Sequence, residues 1–281
     1  MLRIAIPNKG QLSDPAREML REAGYAVAAT TRDLVVQDPE NDVEFFFLRP
    51  RDIATYVASG TLDVGITGQD MLADSGAAAA TVLELSFAPS TFRLAAPAGL
   101  VSDLKDISGK RIATSYSGIL TEWLNSQNIQ AQIVKLDGAV ENAVRLGVAD
   151  LVADVVATGT TLKQAGLETI GDPIFTSQAI LITRPDIEDQ GALDVFIRRL
   201  QGVIVARTYV LVDYDIPNTL LDSACALTPG IESPTISALQ DSQWSAVRAM
   251  VPRKAVHAIM DELYDLGARG VLVTDIHACR L

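Results

Sequence analysis

The sequence is poor in cysteine, since Cys225 and Cys279 are the only two in 281 residues. Two cysteines cannot build the disulfide framework of a small secreted protein, which argues against that class. The first residues lack the basic segment and the sustained apolar run of a secretory signal. No apolar run approaches the roughly 18–20 residues that cross a bilayer. We therefore expect a cytoplasmic protein that does not interact with a membrane.

Positive charge is also scarce, because 23 lysines and arginines face 35 aspartates and glutamates, for a net charge of −12. No basic stripe of the kind that binds nucleic acid is visible, so we expect no nucleic-acid partner. An acidic protein can still bind phosphates locally, through backbone N–H groups at a helix N-terminus, a few arginines or a divalent cation. Hydrophobic residues make up 48% of the chain, which predicts a folded protein with a substantial core.

Several familiar catalytic motifs are missing. No G-x-x-x-x-G-K-[ST] or G-x-G-x-x-G segment follows a predicted strand, which argues against a P-loop and a Rossmann fingerprint. No G-x-S-x-G elbow is present. His257 and His277 are isolated and show neither metal-ligand nor triad spacing, so we interpret both as structural or surface residues. The sequence therefore leaves the ligands of any metal unknown.

The chain contains a regular alternation of short β-branched segments with helical ones. Residues 2–6 and 43–48 are typical of strands, and residues 12–23 between them have helical spacing. This βαβ rhythm is typical of the α/β fold class and predicts a largely parallel sheet with helices on both faces. A second run of the same kind begins near Phe92.

These two runs predict two α/β lobes that face each other across a cleft. Lobe I would comprise residues 1–89 and 178–207, and lobe II residues 90–177, with the chain crossing at Pro89-Ser90 and Thr176-Ser177. From residue 208 to 281 the pattern changes to β-α-β-β-α-β, which is the order of a ferredoxin-like domain.

The segment from Asp154 to Leu162 carries the most chemical information. A predicted strand ends at Asp154, a turn rich in threonine and glycine follows, and a helix then begins. Threonine hydroxyls and the small Gly159 let backbone N–H groups approach a phosphate closely, while Asp154 can accept hydrogen bonds from sugar hydroxyls. On these residues alone, an ordinary strand-to-helix turn with a threonine N-cap remains an alternative.

The wider segment 141–162, ENAVRLGVADLVADVVATGTTL, resembles the diagnostic motif of the ATP phosphoribosyltransferases, which catalyse the first step of histidine biosynthesis. Further segments are similar to the same family: PNKG at 7–10, FFLRP at 46–50, DVGITG at 63–68 and RIATSY at 111–116. The segment TPGIESPTI at 228–236 resembles the long form of the family, which carries a regulatory domain. The resemblance extends over essentially the whole chain.

The resemblance implies a glycosyltransferase with periplasmic-binding-protein-like lobes that joins N1 of ATP to C1 of phosphoribosyl pyrophosphate, releases pyrophosphate and requires Mg²⁺. The implied binding site for phosphoribosyl pyrophosphate consists of Asp154, Ala157, Thr158, Gly159, Thr160 and Thr161. The implied ATP site consists of Arg49, Arg51, Gly68, Asp70 and Tyr116, and the implied catalytic residues are Asp154, Lys9 and Arg49. Asp137 follows a predicted strand and Glu141 lies on the next predicted helix. From these positions we expect them to assist Asp154 in binding the ribose. A solvated surface role is the alternative for Lys9, Arg49 and Arg51.

The resemblance also implies that the C-terminal domain binds histidine as a feedback inhibitor, through Asp215, Ser233, Thr235 and Gly270. Ordinary turn chemistry around Pro217 and Pro234 is the alternative for these residues. A homo-hexamer in equilibrium with a dimer is implied, and no separate regulatory protein should be needed. Two other functions remain open on the sequence: a two-lobed solute-binding protein and a non-catalytic subunit that senses an amino acid.

Overall fold

The structure is a computed structural model that describes residues 1–27, 34–101, 103–156, 159–187 and 190–280. The chain divides into two compact units, of which the first is Met1–Arg21 with Tyr25–Leu193 and the second is Glu22–Gly24 with Asp194–Leu281. The lobe and domain boundaries given above stay a prediction. Among the described helices, none combines the length and the apolar character needed to span a bilayer.

The first unit contains two mixed sheets. Six strands form the first sheet: β1 (Leu2–Pro7), β2 (Val35–Asp38), β3 (Val43–Leu48), β4 (Val64–Gly68), β5 (Ala80–Glu84) and β11 (Ala179–Thr183), in the order β2-β3-β1-β4-β11-β5. Five strands form the second sheet: β6 (Ser90–Pro97), β7 (Arg111–Thr114), β8 (Gln132–Lys135), β9 (Leu151–Val156) and β10 (Leu167–Ser177), in the order β10-β6-β9-β7-β8. The chain passes to the second sheet after β5 and returns after β10, so that each sheet belongs to one lobe.

Helices follow the strands of both lobes. In the first lobe these are α1 (Ser13–Glu22), α2 (Pro50–Ala58) and α3 (Gln69–Ser75), and in the second they are α4 (Ser117–Ser126), α5 (Asn142–Arg145) and α6 (Thr160–Gln164). The central strands are buried on both faces, as Ile4, Ala5 and Ile6 of β1 illustrate with no exposed surface. Most of the side chains described in the next section lie at or shortly after the carboxyl ends of β1, β3, β4, β7, β8, β9 and β10.

The prediction of a largely parallel sheet is wrong. β1 pairs in parallel with β3 and β4, and β7 pairs in parallel with β8 and β9, but the other pairs are antiparallel. The strands that link the lobes, β6, β10 and β11, run against their neighbours. The sequence pattern missed β2, β5 and β10, which are edge strands and therefore lack the continuous apolar runs of buried central strands.

The C-terminal part begins with the long helix α7 (Gln190–Thr208), within which the division between the two compact units falls. The elements that follow are β12 (Tyr209–Pro217), α8 (Leu221–Leu227), β13 (Thr235–Ala238), β14 (Trp244–Pro252), α9 (Val256–Leu266) and β15 (Arg269–Asp275). The four strands form an antiparallel sheet in the order β13-β14-β12-β15. Alternate residues of β12, including Val212 and Tyr214, are buried in an apolar core that includes residues of both helices. The predicted fold class, two α/β lobes followed by a βαββαβ domain, is confirmed.

Candidate active site

Three connected cavities lie between the two lobes of the first unit. The cationic end has a volume of about 510 Å³, and its lining includes Lys9, Arg49, Arg51, Asp52, Lys135 and Asp137. The central cavity has a volume of about 190 Å³, and its lining includes Lys9, Gly68, Asp70, Tyr116 and Ser177. The carboxylate end has a volume of about 160 Å³, and its lining includes Glu141, Asp154, Gly159 and Thr161. The central cavity shares Lys9 with the first and Gln11 with the third, so that the three form one cleft.

Two lysines and two arginines line the cationic end, although the chain as a whole is acidic. Lys9 follows β1, and Lys135 is the last residue of β8. Arg49 precedes Pro50, the first residue of α2, and its backbone is extended with φ −64° and ψ 132°, as the residue before a proline prefers. The lysine and arginine side chains can therefore meet phosphate oxygens on one side of the cleft.

Arg51 reaches from the cationic end toward the central cavity. Its Nη1 atom lies 2.7 Å from Oδ2 of Asp74, and its guanidinium carbon lies 4.7 Å from the centre of the Tyr116 ring. The Arg51 side chain is 44% exposed, so part of the guanidinium remains accessible to a ligand.

Three buried polar side chains, those of Asp70, Tyr116 and Ser177, lie at the central cavity. Asp70 and Tyr116 are 4% and 7% exposed. The backbone N–H of Asp70 donates to Ser177 Oγ at 3.0 Å, and Ser177 Oγ donates to Asp70 Oδ1 at 2.8 Å. Gly68 makes room for this arrangement, because a Cβ there would overlap the Asp70 carboxylate.

The Tyr116 hydroxyl stays protonated in this environment. Burial and the negative charge of Asp70, with which it shares a side-chain hydrogen bond, raise the pKa of Tyr116 above its ordinary value. The central cavity thus has a neutral phenol and a carboxylate, which suit a polar ligand.

The carboxylate end is formed by β9 and the turn after it. Burial, aided by the negative charge of Glu141, raises the pKa of Asp154 to about 6, although the backbone N–H of Val155 donates to its Oδ1 at 2.8 Å and opposes the shift. Gly159 has φ +73° and caps α6, whose first two residues, Thr160 and Thr161, are exposed. Glycine suits this turn because the left-handed region is strained for other residues.

Residues 49–202 match the family model described as ATP phosphoribosyltransferase, and residues 206–278 match the model described as HisG, C-terminal domain. The first match covers more than half of the chain.

This chain belongs to the ATP phosphoribosyltransferase family.

Curated relatives that match over the full length of this chain support its membership of the family. ATP phosphoribosyltransferases from Paenarthrobacter aurescens and Streptomyces coelicolor are 59% and 56% identical to this chain, with 100% of both chains covered in each case. A solved chain from the ATP phosphoribosyl transferase (HisG:HisZ) complex of Thermotoga maritima has a TM-score of 0.63 and 29% identity, and the match covers 73% of this chain and 98% of that one. The family identified from sequence motifs is confirmed, the chain is a transferase of histidine biosynthesis, and the solute-binding and non-catalytic alternatives are not supported.

The ATP phosphoribosyltransferase motif residues are brought together only in part within the described chain. Asp154, Glu141, Gly159 and Thr161 line one cavity, whereas Asp137 lines the cationic end. Ala157 and Thr158, which we predict to bind the sugar phosphate, lie outside the described residues.

The carboxylate end fits Mg²⁺ that is held jointly with a substrate. Within the described ranges, no group of three or more histidine, cysteine, aspartate or glutamate side chains could hold a metal ion alone. Mg²⁺ often binds through one or two carboxylates together with substrate phosphates. Asp154 and Glu141, which face one cavity, supply that donor set.

Three of the four predicted histidine ligands, Asp215, Thr235 and Gly270, lie on the sheet of the second unit. A Cβ at Gly270 would lie 3.8 Å from Oδ2 of Asp215, so these two residues are neighbours. Thr235 pairs with β14 at Arg248, which is itself opposite Asp213 on β12. Asp215 and Thr235 are therefore separated by one strand, and Ser233 lies in the exposed segment before β13.

Sequence reasoning missed two polar residues, Ser177, which lines the central cavity, and Asp74, which pairs with Arg51. Ser177 is bonded to Asp70, which is 107 positions away, and Asp74 is bonded to a backbone group 44 positions away. No local pattern can indicate such pairs, because their partners are brought together only by the fold.

Proposed function

We propose that this cleft transfers the 5-phosphoribosyl group of phosphoribosyl pyrophosphate to N1 of the adenine of ATP, with release of pyrophosphate. The observation that carries the proposal is the order of the three cavities in a chain of this family. Cations lie at one end, a carboxylate pair and a glycine turn at the other, and a buried aspartate and tyrosine lie between them.

The carboxylate end suits the sugar donor. Backbone N–H groups at Gly159, Thr160 and Thr161 would bind the 5′-phosphate together with the threonine hydroxyls, and Ala157 and Thr158 would complete this loop. Asp154 would accept hydrogen bonds from the ribose hydroxyls, because it lies in the same cavity as Gly159 and Thr161.

The rest of the cleft suits ATP. The adenine would enter the central cavity beside Tyr116 and Asp70, and the triphosphate would meet Lys9, Arg49 and Arg51 at the cationic end. Gly68 contributes through the space that it leaves for the Asp70 carboxylate.

The chemistry needs alignment and charge more than a strong base. The lone pair of adenine N1 forms the new bond to C1 of the ribose, and the electron pair of the C1–O bond leaves with pyrophosphate. Positive charge develops at the sugar as this bond breaks, and an ionised Asp154 stabilises it. Lys9 and Arg49 hold the anionic ends so that N1 and C1 approach each other.

Mg²⁺ fits this proposal as a cofactor. Glu141 and Asp154 would hold it with the phosphate oxygens of the donor, and it would neutralise charge on the pyrophosphate. Removal of Mg²⁺ with a chelator should abolish turnover.

A release assay for pyrophosphate tests the proposed reaction. The protein is mixed with ATP, phosphoribosyl pyrophosphate and Mg²⁺, and each substrate is omitted in turn. Pyrophosphate should appear only when both substrates are present. Release without ATP, or no release with both, would contradict the proposal.

Histidine would act as the feedback inhibitor of this reaction. Asp215 and Gly270 are neighbours on the partly exposed sheet of the second unit, and with Ser233 and Thr235 they would bind the charged and polar ends of the amino acid. A histidine-sensitive equilibrium between a homo-hexamer and a dimer, in the cytoplasm, completes the proposal. The C-terminal unit would make a separate regulatory protein unnecessary.

A further inference from the structure

Asp74, near the end of α3, has a buried carboxylate that the proposed reaction does not use. Its side chain is 8% exposed. Oδ2 lies 2.7 Å from Nη1 of Arg51, and Oδ1 accepts the backbone N–H groups of Gly118 at 2.7 Å and Ile119 at 3.3 Å. Arg51 and Asp74 belong to the first lobe and α4 to the second, so this carboxylate connects the two sides of the cleft.

The helix α4 has no side-chain cap of its own. Its N-cap residue is Tyr116, whose side chain makes no capping hydrogen bond. The first N–H groups of a helix need an acceptor, and an anion near them is favourable. Asp74 supplies this acceptor from another helix, in place of the serine, threonine, asparagine or aspartate that usually does so locally.

Gly118 permits this close approach. A Cβ at Gly118 would overlap the backbone carbonyl oxygen of Asp74 and would also meet its Oδ1 at 3.1 Å. Any other residue would push α3 and the first turn of α4 apart.

The same carboxylate also holds Arg51 in place. The guanidinium of Arg51 lies over the Tyr116 ring, 4.7 Å from its centre, while the ion pair with Asp74 fixes its direction. Asp74 therefore restrains both the backbone that follows Tyr116 and the cation that packs on its ring.

We infer that Asp74 is a positioning residue for ATP, which acts by fixing Arg51 and Tyr116 across the cleft. The inference rests on the proposed ATP site, since it gives Arg51 and Tyr116 their roles there. A bound nucleotide would otherwise have to order both groups, and a pre-organised site avoids that entropic cost.

The test uses Asp74→Asn and Asp74→Ala in the full chain. The asparagine variant keeps an oxygen that can cap α4 but loses the charge that holds Arg51. It should raise the KM for ATP about tenfold, the scale of a charge-assisted hydrogen bond, and leave the KM for phosphoribosyl pyrophosphate nearly unchanged. The alanine variant loses the cap as well, so it should raise the KM for ATP further and also lower kcat.

Asp150→Asn is the matched control. Asp150 accepts the backbone N–H of Arg111 at 2.8 Å and pairs with its guanidinium at 2.8 Å, but Arg111 begins β7 whereas Tyr116 follows its other end. This variant loses the same kind of ion pair without touching the cleft, and its KM for ATP should not change.

The variant Arg51→Ala distinguishes a failure of the positioning role of Asp74 from a failure of the proposed ATP site. If it raises the KM for ATP while a folded Asp74→Asn protein has the KM of the parent, the positioning role is wrong and the ATP site stands. If neither variant changes the KM for ATP, the placement of the nucleotide at Arg51 is wrong as well.

Discussion

Asp154 is the residue whose ionisation is most affected by its surroundings at the carboxylate end. Its pKa is raised to about 6 by burial, and Glu141 contributes to the shift through its negative charge. Because the proposed role needs the ionised form, kcat/KM for phosphoribosyl pyrophosphate should fall below an apparent pKa near 6. Glu141→Gln removes one negative charge and should move this acid limb to lower pH, which pH–rate profiles of the two proteins would show. An unshifted limb would mean that another group titrates.

The raised pKa of Asp154 also implies that the stability of the fold depends on pH. The pKa of Asp154 is higher in the folded chain than the ordinary value of 3.8, so the free energy of unfolding falls as the pH rises from about 4 to about 6. Asp154→Asn removes this cost and should raise the free energy of unfolding by about 2 kcal/mol at pH 7, while turnover is largely lost.

Urea unfolding at two pH values checks this prediction. The stability difference between the variant and the parent should be clear at pH 7 and should nearly vanish at pH 4, where the aspartate is already largely protonated. An equal difference at both pH values would point to packing and not to ionisation.

Gly159 belongs to the turn that we propose to bind the 5′-phosphate through backbone N–H groups. Gly159→Ala should cost about 1 kcal/mol of stability, because alanine is strained in the left-handed region, and it should raise the KM for phosphoribosyl pyrophosphate. Gly166→Ala is a matched control, since Gly166 has the same φ of +73° after the other end of α6. The control should lose similar stability and keep the parent's KM for phosphoribosyl pyrophosphate. A raised KM in both variants would show that the effect is not specific to the turn at Gly159.

At the scale of the element, the start of α2 brings Arg49 to the cationic end. Pro50 is buried at the first helical position and restricts the backbone of the residue before it. Arg49→Ala should therefore raise the KM for ATP by about tenfold, while the free energy of unfolding changes little. The difference in KM between the variant and the parent should become smaller as the salt concentration rises, because salt screens the attraction between arginine and phosphate. Arg145→Ala, which removes an exposed cation at the end of α5, serves as the control in the same kinetic measurement.

The elements also show where pattern reading fails. The central strand β1 is predicted correctly, because five of its six residues are apolar and buried. The edge strands β2 and β5 carry exposed residues and give no such signal. The direction of β11 follows from the return of the chain from the second lobe, which no local pattern encodes.

At the scale of the whole molecule, the proposed feedback inhibition needs two global states whose equilibrium histidine changes. Asp215→Asn should abolish inhibition by histidine in the turnover assay and leave the uninhibited rate unchanged, because the residue belongs to the second unit. Asp213→Asn is the control, since Asp213 is on the same strand but is paired with Arg248 at 2.6 Å. Loss of inhibition in both variants would indicate a general effect on the sheet.

The amino-acid sequence alone was enough to identify the family, the α/β alternation, the βαββαβ order of the C-terminal part and the turn that contains Gly159. These features are local, since they depend on periodicity, on turn chemistry and on residues a few positions apart. The tertiary structure alone decided the contact of Asp70 with Ser177, the cap that Asp74 provides for α4 and the raised pKa of Asp154. Each of these depends on burial or on partners distant in the chain, and only the packed lobes bring such groups together.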